Sequence, residues 1–160
     1  MNIFNAFLLG FTLLATQAFA EVSGDAPGFT LQGVDGEINL ADYKGQVVYL
    51  DFWASWCSPC RDSFPWMNAM QGKYADKGVK FIAVNVDRKQ ADAEAFLQKT
   101  PAQFTIAFDP KGKTPKLYDL MGMPTAFIIG KDGKILHHHI GFNATDIEAY
   151  EHHLQQALQH

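Results

Sequence analysis

Cysteine is scarce in this sequence, and basic charge is never concentrated. Only two of the 160 residues are cysteines, Cys57 and Cys60. A disulfide that closes so short a loop constrains the unfolded chain very little, so the pair is expected to be reactive and not a structural staple. The 13 basic residues are outnumbered by 17 acidic ones, the net charge is −4, and no basic stripe occurs. This composition argues against binding to nucleic acid or to an anionic membrane surface.

The first twenty residues contain no charged side chain and carry an apolar stretch over 7–15. Ala18 and Ala20 supply the small residues that a signal peptidase needs, so 1–20 is predicted to be a signal peptide and 21–160 a single domain. The segment departs from the usual pattern because its start has no Lys or Arg. An uncleaved membrane anchor is the alternative, but the apolar stretch is shorter than the roughly 20 residues that cross a bilayer. The predicted product is periplasmic or otherwise exported, and soluble after cleavage.

The remaining sequence alternates between strand-like and helix-like patterns. Pieces at 29–31 and 38–40 flank an Asp-Gly turn and predict a hairpin, and the apolar run 47–53 predicts a strand covered on both faces. Next come a predicted helix from the cysteines to Tyr74, a strand over 79–86, a helix over 91–99 and an extended piece over 104–108. A helix with Thr114 as its N-cap is predicted to run through Leu120. A hairpin of 125–129 with 134–140 and a C-terminal helix with a capping box over 145–148 complete the prediction. This order predicts an α/β fold with a central mixed sheet, helices on both faces and an N-terminal β-hairpin.

The Cys-Ser-Pro-Cys motif lies between a predicted buried strand and the predicted start of a helix. Unpaired backbone N–H groups and the positive end of the helix dipole favour thiolate over thiol at such a position. Cys57 is therefore predicted to attack a substrate disulfide, and Cys60, one helical turn on, to resolve the mixed disulfide. Pro59 suits the first turn because it donates no N–H. The same spacing supplies half of many zinc sites, but a zinc site would need two further ligands.

Histidines and methionines are the alternative metal ligands in the sequence. His137, His138 and His139 are consecutive on a predicted strand, where only the first and the last share a face. A solvated strand face is the favoured interpretation of this run. Met121 and Met123 carry soft sulfur atoms that suit Cu(I), although packing is the ordinary role of methionine. We predict no metal site.

The segment Leu50–Arg61, with the sequence LDFWASWCSPCR, resembles the active-site segment of thioredoxins. The segments 26–31 and 40–45, with the sequences APGFTL and LADYKG, are similar to the opening of the TlpA-like branch, which includes exported reductases of cytochrome c maturation. The likeness runs from about Pro27 to the C-terminal helix. It implies a thioredoxin fold for 21–160, preceded by the signal peptide.

The resemblance also implies roles for residues around the cysteines. Pro124 would follow a cis peptide bond beside the cysteines, and Asp51 would be the buried proton acceptor for Cys60, with a raised pKa. Ala83 stands where many thioredoxins carry a lysine near this carboxylate. A further four residues are assigned to substrate binding: Trp56, Ser58, Pro59 and Met123.

The predicted function is an exported thiol-disulfide oxidoreductase that reduces selected exported proteins, with cytochrome c maturation as one setting. The redox group is the Cys57–Cys60 disulfide, with no other cofactor, and a membrane thiol-disulfide donor would reduce it again. The protein is expected to be a monomer. One alternative is a thiol peroxidase, but those enzymes carry proline and threonine at the positions of Leu50 and Ala54. The other is a copper-handling binding module that uses both cysteines with a methionine or histidine.

Overall fold

The computed structural model of the protein describes residues 24–160, so the predicted signal peptide over 1–20 lies outside the described residues. The strands are β1 (Thr30–Gly33), β2 (Gly36–Asn39), β3 (Val47–Trp53), β4 (Val79–Asn85), β5 (Thr105–Phe108), β6 (Thr125–Ile129) and β7 (Ile135–Ile140). The α-helices are α1 (Ser58–Tyr74), α2 (Gln90–Lys99), α3 (Lys113–Leu117) and α4 (Ile147–Gln159). None of the helices in the described range is long and apolar enough to cross a membrane.

All seven strands form one mixed sheet in the order β2-β1-β5-β4-β3-β6-β7. Strands β3, β4 and β5 are parallel. The hairpins β1–β2 and β6–β7 are antiparallel, as the sequence predicts. Every residue of β3 is buried, because the strand has a neighbour on both sides and packed side chains on both faces. The chain therefore delivers its next segment, which contains the cysteines, to the carboxyl end of the central strand.

Alternate residues of β3 belong to two separate cores. Val47, Tyr49 and Trp53 face a core built with α1, α2 and α4, and this core also contains both cysteines. Val48 and Leu50 face the opposite core, which contains Tyr118 directly after α3 and residues of the N-terminal segment. Helices thus cover both faces of the mixed sheet, which confirms the predicted architecture. Asp51 lies on the same face as Tyr49 and Trp53, since side chains two residues apart on a strand share a face.

The N-cap predicted for α3 is wrong. Thr114 lies inside the helix, which begins at Lys113 after Gly112, and Gly112 adopts the left-handed conformation with φ +61°. The first-turn acceptor is Asp109, whose Oδ2 receives a hydrogen bond from the Thr114 N–H at 2.6 Å. The helix also ends before Leu120, because Asp119 adopts a φ of +48° and turns the chain.

The capping box predicted at 145–148 is also wrong. A 3₁₀ turn over Ala144–Asp146 precedes α4, and its cap is Asn143, whose Oδ1 accepts a hydrogen bond from the Thr145 N–H at 3.1 Å. Asparagine is as good an N-cap as threonine, and here it caps the 3₁₀ turn that precedes α4.

Gly33 is required where the N-terminal hairpin packs against β5. A Cβ atom at this position would lie 2.7 Å from the Ile106 carbonyl oxygen and 2.9 Å from that of Gly36. Because backbone atoms cannot move aside, we expect Gly33→Ala to lower the free energy of unfolding by about 1–3 kcal/mol in urea denaturation. Gly28→Ala is the control, since a Cβ atom there would meet no atom within 4 Å. Equal losses in the two variants would contradict this account of the hairpin.

Candidate active site

The two cysteines form a disulfide at the amino end of α1, with a Sγ–Sγ distance of 2.03 Å. Cys57 is the N-cap residue of this helix and has extended backbone angles. Its N–H donates to the Ala54 carbonyl oxygen at 3.1 Å, which closes a tight turn directly after β3. Cys57 retains 5 % of its exposure and Cys60 none. The sulfur that an incoming substrate meets first is therefore that of Cys57.

The first turn of α1 sets the electrostatic environment of Cys57. An N-cap side chain accepts hydrogen bonds from the second or third helical residue. The second is Pro59, which has no N–H, so the available donor is the N–H of Cys60. In the disulfide form the Cys57 side chain accepts no such bond. Once the disulfide is reduced, this donor and the helix dipole both favour a negative charge on the Cys57 sulfur.

Asp51 is buried in the middle of β3, between Ala83 on β4 and Ala126 on β6. Its Oδ2 accepts no hydrogen bond from any of the described residues. Burial raises the pKa of this carboxyl well above its ordinary value, as the sequence predicts. Both flanking alanines belong to the core that contains Cys60, so the carboxyl lies on the side of the sheet that carries the disulfide. Since Ala83 is its direct neighbour, no lysine at that position offsets the cost of ionising it.

The Met123–Pro124 peptide bond is cis, as the resemblance implies. The pairing of Phe52 with Thr125 places Pro124 beside the end of β3, where the cysteine loop begins. The Pro124 carbonyl oxygen accepts a hydrogen bond from the Gly141 N–H at 2.7 Å. Met123 packs against the core that contains both cysteines. The fold thus brings this loop and the cysteine motif to the same end of the sheet.

Three of the four residues assigned to substrate binding flank Cys57 in the chain. Trp56 is 68 % exposed, which is unusual for so large an aromatic side chain, and Ser58 and Pro59 are exposed as well. The other tryptophan of the motif, Trp53, is fully buried and packs on Phe64 with a ring-centroid distance of 4.9 Å. An exposed aromatic ring next to Cys57 offers a surface for a polypeptide substrate.

Two buried polar residues near the motif were not predicted from the sequence. Asn85 ends β4 and Asp87 follows it, and the Asp87 carboxylate accepts hydrogen bonds from Ser55 in the cysteine loop. The signal available in the sequence is the change from apolar to polar residues at the carboxyl end of a strand, where α/β proteins place their sites. Nothing in the local pattern shows that Ser55 would be the partner.

The histidine run is less solvated than predicted, because α4 packs over it. His137 and His139 share a face of β7, as expected, but both lie against His153 of α4, and only His138 is exposed. The His137 and His153 rings stack at 4.2 Å, and His153 Nδ1 lies 3.3 Å from His139 Nε2. Within residues 24–160, no group of three or more His, Cys, Asp or Glu side chains is arranged to hold a metal ion.

Packing beneath α4 makes His139 hard to protonate. Burial, and then the neighbouring His153, His137 and His138, lower the pKa of His139 from 6.5 to about 4. An unfolded histidine titrates near its ordinary value, so between these two values the unfolded state binds more protons than the folded state. The contribution of His139 to stability is therefore present at neutral pH and is lost as the pH falls from 6.5 to about 4.

We expect His139→Phe, which keeps a ring against Tyr150, to lose less stability than the parent protein as the pH falls from 6.5 to about 4. Urea unfolding at a series of pH values measures the difference. His138→Gln is the matched control, because His138 is exposed on the opposite face of the same strand. If His139→Phe and the parent protein lost stability equally on acidification, the burial of His139 would not be the cause.

Comparison with known proteins places this geometry among thiol-disulfide oxidoreductases. The profile of the AhpC/TSA family matches residues 22–138. The thiol-disulfide oxidoreductase ResA of Bacillus cereus is 36 % identical over 133 residues, which cover 80 % of this chain and 77 % of that protein. A crystal structure of a putative thiol:disulfide interchange protein DsbE from Chlorobium tepidum is 55 % identical, with a TM-score of 0.85, covering 86 % of this chain and 98 % of that chain.

A more distant structure identifies the fold alone. The thioredoxin domain of a thiol-disulfide oxidoreductase from Bacteroides vulgatus is 23 % identical and superposes with a TM-score of 0.75, covering 86 % of this chain and 99 % of that chain. The predicted thioredoxin fold is therefore confirmed.

Proposed function

Because this chain belongs to the AhpC/TSA family of the thioredoxin superfamily, we propose that it is an exported reductase of protein disulfides. Its class is that of the thiol-disulfide oxidoreductases. The observation that carries the proposal is the Cys57–Cys60 disulfide at the amino end of α1, with Cys57 5 % exposed and Cys60 fully buried.

The reaction is two successive thiol-disulfide exchanges. The Cys57 thiolate attacks one sulfur of the substrate disulfide, forms a mixed disulfide and releases the other substrate sulfur as a thiolate. Cys60 then loses its proton and attacks the Cys57 sulfur, which restores the Cys57–Cys60 disulfide and releases the second substrate thiol. Two electrons have passed to the substrate. No nucleotide or metal takes part in either exchange.

Asp51 and the cis-proline loop would assist the two exchanges. Asp51, buried on the side of the sheet that carries Cys60, would accept the Cys60 proton before the second exchange. The backbone of Met123 before Pro124 would pair with an extended substrate segment, and Trp56, Ser58 and Pro59 would contact that segment at the surface.

We propose that the protein is exported and that its substrates are exported proteins. The uncharged segment 1–20 supports export, and the resemblance to TlpA-like reductases supports substrates among exported proteins, including cytochromes c in maturation. A membrane thiol-disulfide donor would reduce the protein again after each cycle. Cell fractionation followed by mass spectrometry tests export, with a mature chain that begins at Glu21 as the expected result. An intact chain that stays in the cytoplasm would overturn it.

A thiol peroxidase is the second candidate, and the family profile is the observation that favours it. Leu50 and Ala54 are completely buried and apolar at the two positions where those enzymes carry proline and threonine. Parallel assays with dithiothreitol as reductant separate the two functions. We expect rapid reduction of an oxidised peptide of the haem-attachment type, C-x-x-C-H, and slow consumption of hydrogen peroxide. The reverse order of rates would favour the peroxidase.

A further inference from the structure

Asp87 is a second buried carboxylate near the disulfide, and it is held very differently from Asp51. It lies just beyond the end of β4 and is 3 % exposed. Its Oδ2 accepts hydrogen bonds from the Ser55 N–H at 2.9 Å and from Asn85 Nδ2 at 2.8 Å, and its Oδ1 accepts one from Ser55 Oγ at 3.1 Å. Neither of the two ion pairs found among the described residues includes Asp87. Its negative charge is therefore balanced by hydrogen-bond donors, two of which come from one residue of the cysteine loop.

Ser55 is the second residue of the turn that carries the nucleophile. This turn runs from Ala54 to Cys57 and is closed by the hydrogen bond from the Cys57 N–H to the Ala54 carbonyl oxygen. The Val86 N–H also donates to the Trp53 carbonyl oxygen at 3.0 Å, so the end of β3 is attached to the same segment. Asp87 itself is fixed, because its N–H donates to Asn85 Oδ1 at 3.0 Å. The position of Cys57 is thus determined on one side by α1 and on the other by an anchor, the two hydrogen bonds from Ser55 to the Asp87 carboxylate.

We propose that Asp87 is a positioning residue for Cys57: through its two hydrogen bonds with Ser55 it holds the 54–57 turn so that the reduced Cys57 sulfur stays at the N-cap of α1. The inference rests on the proposed function, since it explains how the attacking thiolate is maintained. A sulfur displaced from the N-cap loses the Cys60 N–H donor and part of the dipole effect, and both favour the thiolate.

Substitutions at Asp87 separate positioning from charge. Asn keeps an oxygen in place of Oδ2 for the Ser55 N–H, and its NH₂ group can donate to the Ser55 hydroxyl, so Asp87→Asn retains the anchor without the charge. Asp87→Ala removes both the anchor and the charge. Ser55→Ala removes only the hydroxyl bond and leaves the charge in place. A pure charge effect would raise the thiolate fraction of Cys57 in both Asp87 variants, because a nearby negative charge disfavours a thiolate.

The experiment measures the pH profile of Cys57 alkylation by iodoacetamide in a Cys60→Ala background, where only one thiol can react. We expect the thiolate fraction near neutral pH to fall roughly threefold to tenfold in Asp87→Ala and by a smaller factor in Ser55→Ala, while Asp87→Asn stays within about twofold of the parent. The pH profile is read instead of a single rate, because a looser loop also changes access to the sulfur.

Asp109→Ala is the matched control for Asp87→Ala. Asp109 is a buried carboxylate just beyond the end of the neighbouring strand β5, with the same 3 % exposure, but it caps α3 and not the cysteine loop. A profile that shifts as much in Asp109→Ala as in Asp87→Ala would show a general loss of structure and overturn the proposal. So would unchanged profiles in Asp87→Ala and Ser55→Ala, or a raised thiolate fraction in both Asp87 variants. If Asp87→Ala fails to fold, Ser55→Ala and Asp87→Asn still decide.

The alkylation profile needs no disulfide substrate, so this proposal and the proposed function can fail separately. A parent protein that reduces no protein disulfide would refute the reductase. A parent protein that reduces protein disulfides, together with unchanged alkylation profiles in Asp87→Ala and Ser55→Ala, would refute only the role of Asp87.

Discussion

Replacing Cys57 with Ser is expected to stop the reduction of protein disulfides, with a loss of at least about a thousandfold in turnover, because no other thiol reaches the surface of this site. Cys60→Ser is expected to lose turnover to a similar extent, but for a different reason. Its Cys57 still attacks the substrate once, and the mixed disulfide then persists because the resolving thiol is absent. The rate of insulin reduction with dithiothreitol in excess measures turnover, and a single-turnover reaction without dithiothreitol measures the first attack.

The two serine variants are controls for each other. Both lack the disulfide and carry the same kind of substitution, so any loss of stability is shared, whereas only Cys60→Ser should form a covalent adduct. Equal adduct formation by both variants, or adduct formation by Cys57→Ser alone, would contradict the order of attack that the exposure of the two sulfurs predicts.

Asp51→Asn is expected to change activity and stability in opposite directions. As the proposed proton acceptor for Cys60, Asp51 should accelerate the second exchange, and its loss should slow turnover by roughly a hundredfold. The first attack by Cys57 should be unaffected, so the mixed disulfide accumulates. Insulin turnover measured beside the single-turnover rate locates the slow step, and Asp109→Asn serves as the control for a buried carboxylate outside the site.

The stability effect follows from the raised pKa of Asp51. When the pKa of an acid is higher in the folded state than in the unfolded one, the folded state binds more protons, and stability is lost as the pH rises above the ordinary value of 3.8. At neutral pH the buried carboxyl therefore destabilises the fold, and Asp51→Asn should be more stable than the parent by about 1–3 kcal/mol. The gain should shrink on acidification. A variant that is less stable at neutral pH and fully active would contradict both assignments.

The sequence predicted the central strands and the cysteine motif because their signals are local. β3 and β4 are almost continuous apolar runs, and the Cys-Ser-Pro-Cys motif lies between such a run and a helix. The start of α3 was missed because it depends on the left-handed Gly112 and on Asp109. Asp109 lies five residues before Thr114, whose N–H donates to its carboxylate. Thr114 followed by Pro115 has the same local appearance as a cap.

The remaining differences depend on contacts between distant parts of the chain. Asp87 and Ser55 are separated by 32 positions, and no periodicity connects them. His139 is partly buried because α4 folds back over β7 and brings His153, fourteen residues later in the chain, against it. In both cases the partner of a polar residue became visible only once the sheet and helices were assembled.

The most direct test of this account is to locate the covalent intermediate. Reduced Cys60→Ala protein is incubated with insulin, the reaction is quenched with acid, and the attachment site is identified by mass spectrometry of the digested adduct. We predict an insulin chain joined through a disulfide to Cys57. The absence of any adduct, together with a parent protein that does not reduce insulin, would contradict the assignment of Cys57 as the nucleophile of a protein-disulfide reductase.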